Sequence, residues 1–156
     1  MKNFILNSNF FDQSVVKLPS QKIEANLLSG SNQKNILIVC VERTGHKNVD
    51  GSFLEKILAS VNIDLQKDAT LFSINQDQAF SWKAVGEAVE FERLIFFGSS
   101  LKQLGLQISG QPFTPFNYQE KTILIADYLD ALNSEGVAQT QKKRALWNAL
   151  KVIFND

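Results

Sequence analysis

Reactive chemistry has few places to begin in this sequence. Among its 156 residues there is one histidine, His46, and one cysteine, Cys40. His46 stands in the stretch VERTGHKNVDG with Glu42, Arg43 and Asp50. A carboxylate and an imidazole beside each other can divide acid and base roles between them. One imidazole with two carboxylates is a thin set of ligands for a metal, which takes three or four. Neither a metal nor another cofactor is therefore expected. The plainer reading, and the one preferred here, is a solvated loop with Asp50 near the start of the next helix. Gly98-Ser99-Ser100 precedes another helical stretch, and its backbone N–H groups are of the kind that cradles a phosphate. Neither G-x-x-x-x-G-K nor G-x-G-x-x-G spacing is present, and serine at a helix start is ordinarily a cap. Lys142, Lys143 and Arg144 fall in the first turn of the last predicted helix, against its dipole. They read as contacts to an acidic partner or a phosphate backbone, or simply as a solvated face. Trp147 lies beside that helix's apolar stripe, as an edge-of-core residue or a partner anchor. Cys40 sits inside an apolar run and reads as a small buried residue.

The elements that must position these groups follow from the apolar pattern. Ile36 to Val41 is unbroken, which predicts a strand buried on both faces, as in a parallel sheet covered by helices. Phe53, Leu54, Ile57, Leu58 and Val61 form one helical stripe, and Ser52 with Glu55 has capping-box spacing. Thr70 to Ile74 is a second strand, completing a strand–helix–strand unit whose right-handed crossover sets the two strands side by side. Ligands in such sheets sit at the carboxyl ends of strands, so the loop Glu42–Gly51 is where chemistry is expected. Downstream, the pattern gives a short helix over Ser81–Ala88 and a third strand over Arg93–Phe97. One or two helical turns follow, capped by Ser99 or Ser100. Gly105–Gln119 reads as loop with at most a short extended piece, and Lys121–Ala126 as a fourth strand. A loop then holds Asp127, Tyr128 and Asp130. The final helix runs from near Thr140 to Phe154, with Ala145, Leu146, Ala149, Leu150 and Ile153 inward. Alternation of this kind predicts a three-layer α/β/α domain on a mainly parallel four-stranded sheet.

The chain is the size of one domain, residues 35–156, preceded by an N-terminal arm over 1–34. In the arm Phe4, Phe10, Phe11, Val15, Val16 and Leu18 are scattered among Asn, Ser and Gln with no period. It reads either as a cover folded over the core or as a peptide that docks into a partner's groove. Sixteen basic residues match sixteen acidic ones, so the net charge is zero. That balance argues against tight sequence-independent DNA binding, which works by neutralising phosphates. It leaves DNA contact indirect or weak and suits a subunit held by other proteins. One cysteine excludes an intrachain disulfide, a cysteine zinc cluster and a four-cysteine iron–sulfur site. No apolar run is long enough to span a membrane and no signal peptide is apparent, so a cytoplasmic protein is expected.

Three stretches carry a resemblance. FLEKILASVNIDLQKDATLFSIN resembles the helix–turn–strand that follows the catalytic loop in the uracil-DNA glycosylase superfamily. FERLIFFGSSLKQLGL resembles its third strand and following helix, and ILIADYLDALNS with KKRALWNAL its last strand, active-site loop and final helix. The resemblance covers roughly Asn35 to Ile153. That superfamily carries a Gly- and Pro-rich loop after the first strand, where Val41-Glu42-Arg43-Thr44-Gly45 stands here. It carries a His-Pro-Ser motif after the last strand, where Tyr128-Leu129-Asp130 stands here. What remains of a site would be vestigial: Glu42, His46, Tyr128 and Asp130. The chain is more similar to the psi subunits of the bacterial DNA polymerase III holoenzyme, which share this fold and lack an active site. The similarity lies in Asp130-Ala131-Leu132 and in the helix bearing Arg144-Ala-Leu-Trp-Asn-Ala-Leu150. It implies a non-catalytic accessory subunit whose N-terminal peptide binds the clamp loader, which places docking on Phe10, Phe11, Val15, Val16 and Leu18. It also implies a second, chi-like partner. The alternative is a divergent uracil-DNA glycosylase-like enzyme.

Overall fold

A computed structural model describes residues 23–43, 51–108 and 110–154. Six strands form in chain order: β1 (Leu28–Ser29), β2 (Ile36–Glu42), β3 (Ala69–Asn75), β4 (Arg93–Phe97), β5 (Phe116–Tyr118) and β6 (Lys121–Ala126). They join one sheet in the order β1-β3-β2-β4-β6-β5. The central four, β3, β2, β4 and β6, pair in parallel. β1 and β5 add antiparallel edges. The fold is thus mixed α/β with a mixed six-stranded sheet, which corrects the expected four-stranded, mainly parallel one. β1 escaped the sequence reading because two residues cannot display a period of two. β5 is the short extended piece allowed within Gly105–Gln119, but its pairing as a sheet edge was not legible in a stretch rich in Gly and Pro.

The helices are α1 (Gly51–Ala59), α2 (Leu65–Asp68), α3 (Trp82–Ala88), α4 (Leu129–Leu132) and α5 (Val137–Phe154), with 3-10 turns at Ala25–Leu27 and Leu101–Leu104. As the unbroken apolar run implies, Ile36 to Val41 is buried at every position. Alternation sends its side chains to opposite faces. Ile36, Ile38 and Cys40 join Leu54, Leu58, Leu146 and Leu150 in one cluster, beneath α1 and α5. Leu37, Val39 and Val41 join Val85, Leu101 and Leu104 in another, beneath α3 and the second 3-10 turn. The sheet is therefore covered on both faces. Among the described residues no helix is long and apolar enough to cross a membrane.

Local signals account for several boundaries. Ser81 accepts from the Ala84 N–H at 3.0 Å and caps α3, as its position suggested. Ser100 caps the Leu101–Leu104 turn. Ser52 falls inside the described helix α1, Gly51–Ala59. Of the segment read as an arm, residues 23–34 lie against the sheet. Ile23 is buried in the core, and Leu28 and Ser29 pair with Phe72 and Leu71 of β3. Gly30 permits that approach: its φ is +105°, and a Cβ there would stand 2.3 Å from the Ala69 carbonyl oxygen. Asn32 then locks the turn, accepting from the Ile36 N–H at 2.9 Å and donating to the Glu90 carbonyl at 2.7 Å.

Candidate functional site

Parallel pairing brings the carboxyl ends of β2, β3, β4 and β6 to one rim of the sheet. Cys40 pairs with Phe97 and Phe97 with Ala126, while Glu42 pairs with Asn75. After β2 the chain turns to α1 on one face, whereas after β4 it turns to the Leu101–Leu104 turn on the other. Adjacent strands whose connections leave in opposite directions open the crevice in which ligands bind in such sheets.

Here the crevice is tied shut from within. Arg43, just past β2, reaches Asp130 in α4, 87 positions along the chain. Its Nη2 donates to Asp130 Oδ2 at 2.6 Å and its Nε to the same oxygen at 3.2 Å. The pair is largely withdrawn from solvent, with side-chain exposures of 27% and 18%. The guanidinium also lies over the Tyr128 ring, 4.7 Å from its centroid. The Tyr128 hydroxyl is 3.1 Å from the Ser99 hydroxyl, which follows β4. Three strand ends are thereby joined through side chains. The hydrogen bond to Asp130 is the main reason that the Arg43 pKa is raised above its ordinary value; the Asp130, Tyr128 and Asp127 charges act in the same direction. Beside the pair, Cys40, Glu42, Leu54, Ser73 and Leu129 line a cavity of about 70 Å³. Substrate pockets ordinarily measure about 300–1,000 Å³. Burial, reinforced by the Glu42 charge, pushes the Cys40 thiol up to about 12, so the thiolate needed for nucleophilic attack is not available near neutrality.

The candidate residues fare differently. Glu42, Tyr128 and Asp130 share the rim, and Arg43 joins them as the residue that holds two of them. The sequence reading placed Arg43 in the loop but gave it no partner; no local signal links positions so far apart. His46 and Asp50 lie outside the described residues, as do Phe10, Phe11, Val15, Val16 and Leu18. Among the described residues no group of three or more His, Cys, Asp and Glu side chains is placed to hold a metal ion.

On α5 the basic run is spread over different surroundings. The helix begins at Val137, so Lys142, Lys143 and Arg144 lie beyond its first turn, where the dipole no longer opposes them. This corrects the expected first-turn position. The start was misread because Gly136 marks a loop, although its carbonyl accepts from the Thr140 N–H at 3.0 Å. Lys142 bonds Asp127 Oδ2 at 2.8 Å, and Lys143 sits 5.7 Å from the Phe53 ring centroid. Arg144 is exposed. Leu146, Ala149, Leu150 and Ile153 are buried. Trp147 faces outward, 42% exposed, with Lys151 Nζ 4.1 Å from its ring centroid.

No protein-family model matches the sequence, and no curated protein matches it.

Proposed function

We propose that this chain is a non-catalytic, psi-like accessory subunit of a bacterial DNA polymerase III clamp loader, working by adhesion in the cytoplasm. The observation that carries the non-catalytic half is the Arg43–Asp130 pair roofed by Tyr128. By the resemblance, this pair stands where the uracil-DNA glycosylase superfamily keeps groups that orient water and stabilise the departing base. Asp130 Oδ2 already accepts two hydrogen bonds from the guanidinium. The sheet covered on both faces, with four parallel strands at its centre, supports a three-layer α/β/α body of uracil-DNA glycosylase type. Docking is assigned to Phe10, Phe11, Val15, Val16 and Leu18 of the arm, and the body supplies a further surface through Trp147.

The test is binding of the full-length chain to the purified clamp-loader subunits of the same cell. Retention, lost when Phe10→Asp and Phe11→Asp are combined, is the expected result. Failure of the unaltered chain to bind any of those subunits refutes the clamp-loader assignment. A second reading is favoured by one observation, that Glu42 lines the cavity beside Cys40 and Ser73. It makes the chain a divergent glycosylase-like enzyme, with Glu42 or His46 as the general base. Base release from uracil-containing single strands, abolished by Glu42→Ala, would establish it in place of the adhesion reading.

A further inference from the structure

Among the described residues three large hydrophobic side chains are exposed: Val137 at 77%, Trp147 at 42% and Val152 at 63%. All three belong to α5. Successive residues of a helix are rotated by about 100°. Val137, Thr140, Arg144, Trp147 and Lys151 therefore fall on one outward stripe, and Val152 borders it. The stripe spans about 20 Å at the helical rise. It is opposite the buried face formed by Leu146, Ala149, Leu150 and Ile153. Trp147 stands on it with Val137 at one end, and Val152 lies to one side.

The charge on the helix is as one-sided as its hydrophobicity. The 18 residues of α5 include no Asp or Glu. Lys142 is neutralised by Asp127, but Arg144 and Lys151 flank Trp147 one turn to either side with no carboxylate bonded to them in the described structure. Exposed aromatic and arginine side chains set at helical spacing are the anchors by which one protein holds another. Cations on either side of the anchor select an acidic counterpart.

We infer that the outward stripe of α5 is a docking surface for a second protein, one that offers an apolar pocket for Trp147 with carboxylates beside it for Arg144 and Lys151. The inference rests on the adhesion reading of the chain but not on the clamp loader being the host, and the surface is separate from the arm. Charge complementarity argues against the chain's own first 22 residues as the occupant, because they carry Lys2, Lys17 and Lys22 against a single Asp12. A nucleic acid strand fits less well. Lys151 already covers one face of the indole, where a base would stack, and two free cations on a neutral chain give little counterion release.

The experiment is photo-cross-linking of the full-length protein in its own cells. A photoreactive amino acid replaces the exposed Asn148, and the cross-linked peptide is identified by mass spectrometry. The expected product is one other protein, joined at a site that carries Asp or Glu beside apolar residues. Combining Arg144→Glu with Lys151→Glu should lower the yield at least tenfold, and reversing the partner's carboxylates to Lys should restore it. Circular dichroism of the charge-reversed variant should match that of the unaltered protein, since both positions are exposed. Cross-linking to DNA, to a second copy of this chain or to its own arm overturns the inference. So does a yield indifferent to charge reversal, or no adduct at all. Binding of the unaltered chain to the clamp-loader subunits is read separately through Phe10 and Phe11. Failure at α5 therefore leaves that assignment standing, and failure of that assignment leaves this result readable.

Discussion

The carboxyl rim of the sheet and the outer face of α5 treat polar groups in opposite ways. At the rim Arg43 bonds Asp130 and lies over the Tyr128 ring, and Tyr128 meets Ser99. On α5 Arg144 and Trp147 face water, with only Lys151 against the indole. A site that awaits a substrate keeps its charged groups poised and its pocket open, whereas a rim whose charges are paired internally acts as a brace. The exposed anchors lie elsewhere. Under the proposed adhesion reading, the contrast directs the search for function to the outside of the last helix and the N-terminal segment rather than to the strand ends.

The largest expected effect separates the two faces of α5 itself. Leu150 is fully buried, and Leu150→Ala should cost about 2–5 kcal/mol in chemical denaturation through lost burial and the cavity left behind. Trp147→Ala, three positions earlier, should cost clearly less than Leu150→Ala, because 42% of the Trp147 surface is already exposed. Equal costs for the two would mean that Trp147 is a core residue after all.

Next in size is the brace. Arg43→Met removes the charge-assisted hydrogen bonds to Asp130, each sheltered from water, and should lower stability by about 1–3 kcal/mol. A neutral result would show that the strand ends are not held by this pair.

Smaller again is a pH effect from the neighbouring thiol. Cys40 keeps its proton up to about pH 12 in the fold, while the unfolded chain releases it near the ordinary value of 9.0. The folded pKa is the raised one, so the contribution is complete below pH 9 and declines as pH rises from 9 towards 12. At pH 10 the loss should be on the order of 1 kcal/mol. Denaturation curves of the unaltered protein and of Cys40→Ala should converge by that amount between pH 8 and pH 10. Parallel curves would place the thiol in a wetter setting than the structure does.

Much of the body was legible because its signals are local. Six apolar residues in a row can only be a doubly buried strand, and Ile36–Val41 is one. Ser81 announces α3 because its hydroxyl satisfies an N–H three residues on. The misses share a cause, which is distance or brevity. β1 pairs across 44 residues with Phe72, and its two residues carry no pattern. Arg43 and Asp130 meet only because β2, β4 and β6 are neighbours, a fact of topology that no spacing encodes. The outer stripe of α5 was obscured by a boundary: with the helix starting near Thr140, Val137 belongs to a loop and the stripe loses one end. Trp147 was visible, but its side of the helix could be decided only after the inner face was fixed.

The most direct test compares the two regions in one binding assay. Affinity of the full-length chain for the purified clamp-loader subunits is measured by titration calorimetry for the unaltered protein, for Glu42→Ala combined with Tyr128→Phe, and for Phe10→Asp combined with Phe11→Asp. Adhesion from the surface requires that the strand-end changes leave affinity within about threefold and that the arm changes weaken it at least a hundredfold, about 2.7 kcal/mol. Loss of binding through Glu42 and Tyr128 with the arm changes silent, or no binding by the unaltered chain, would contradict it.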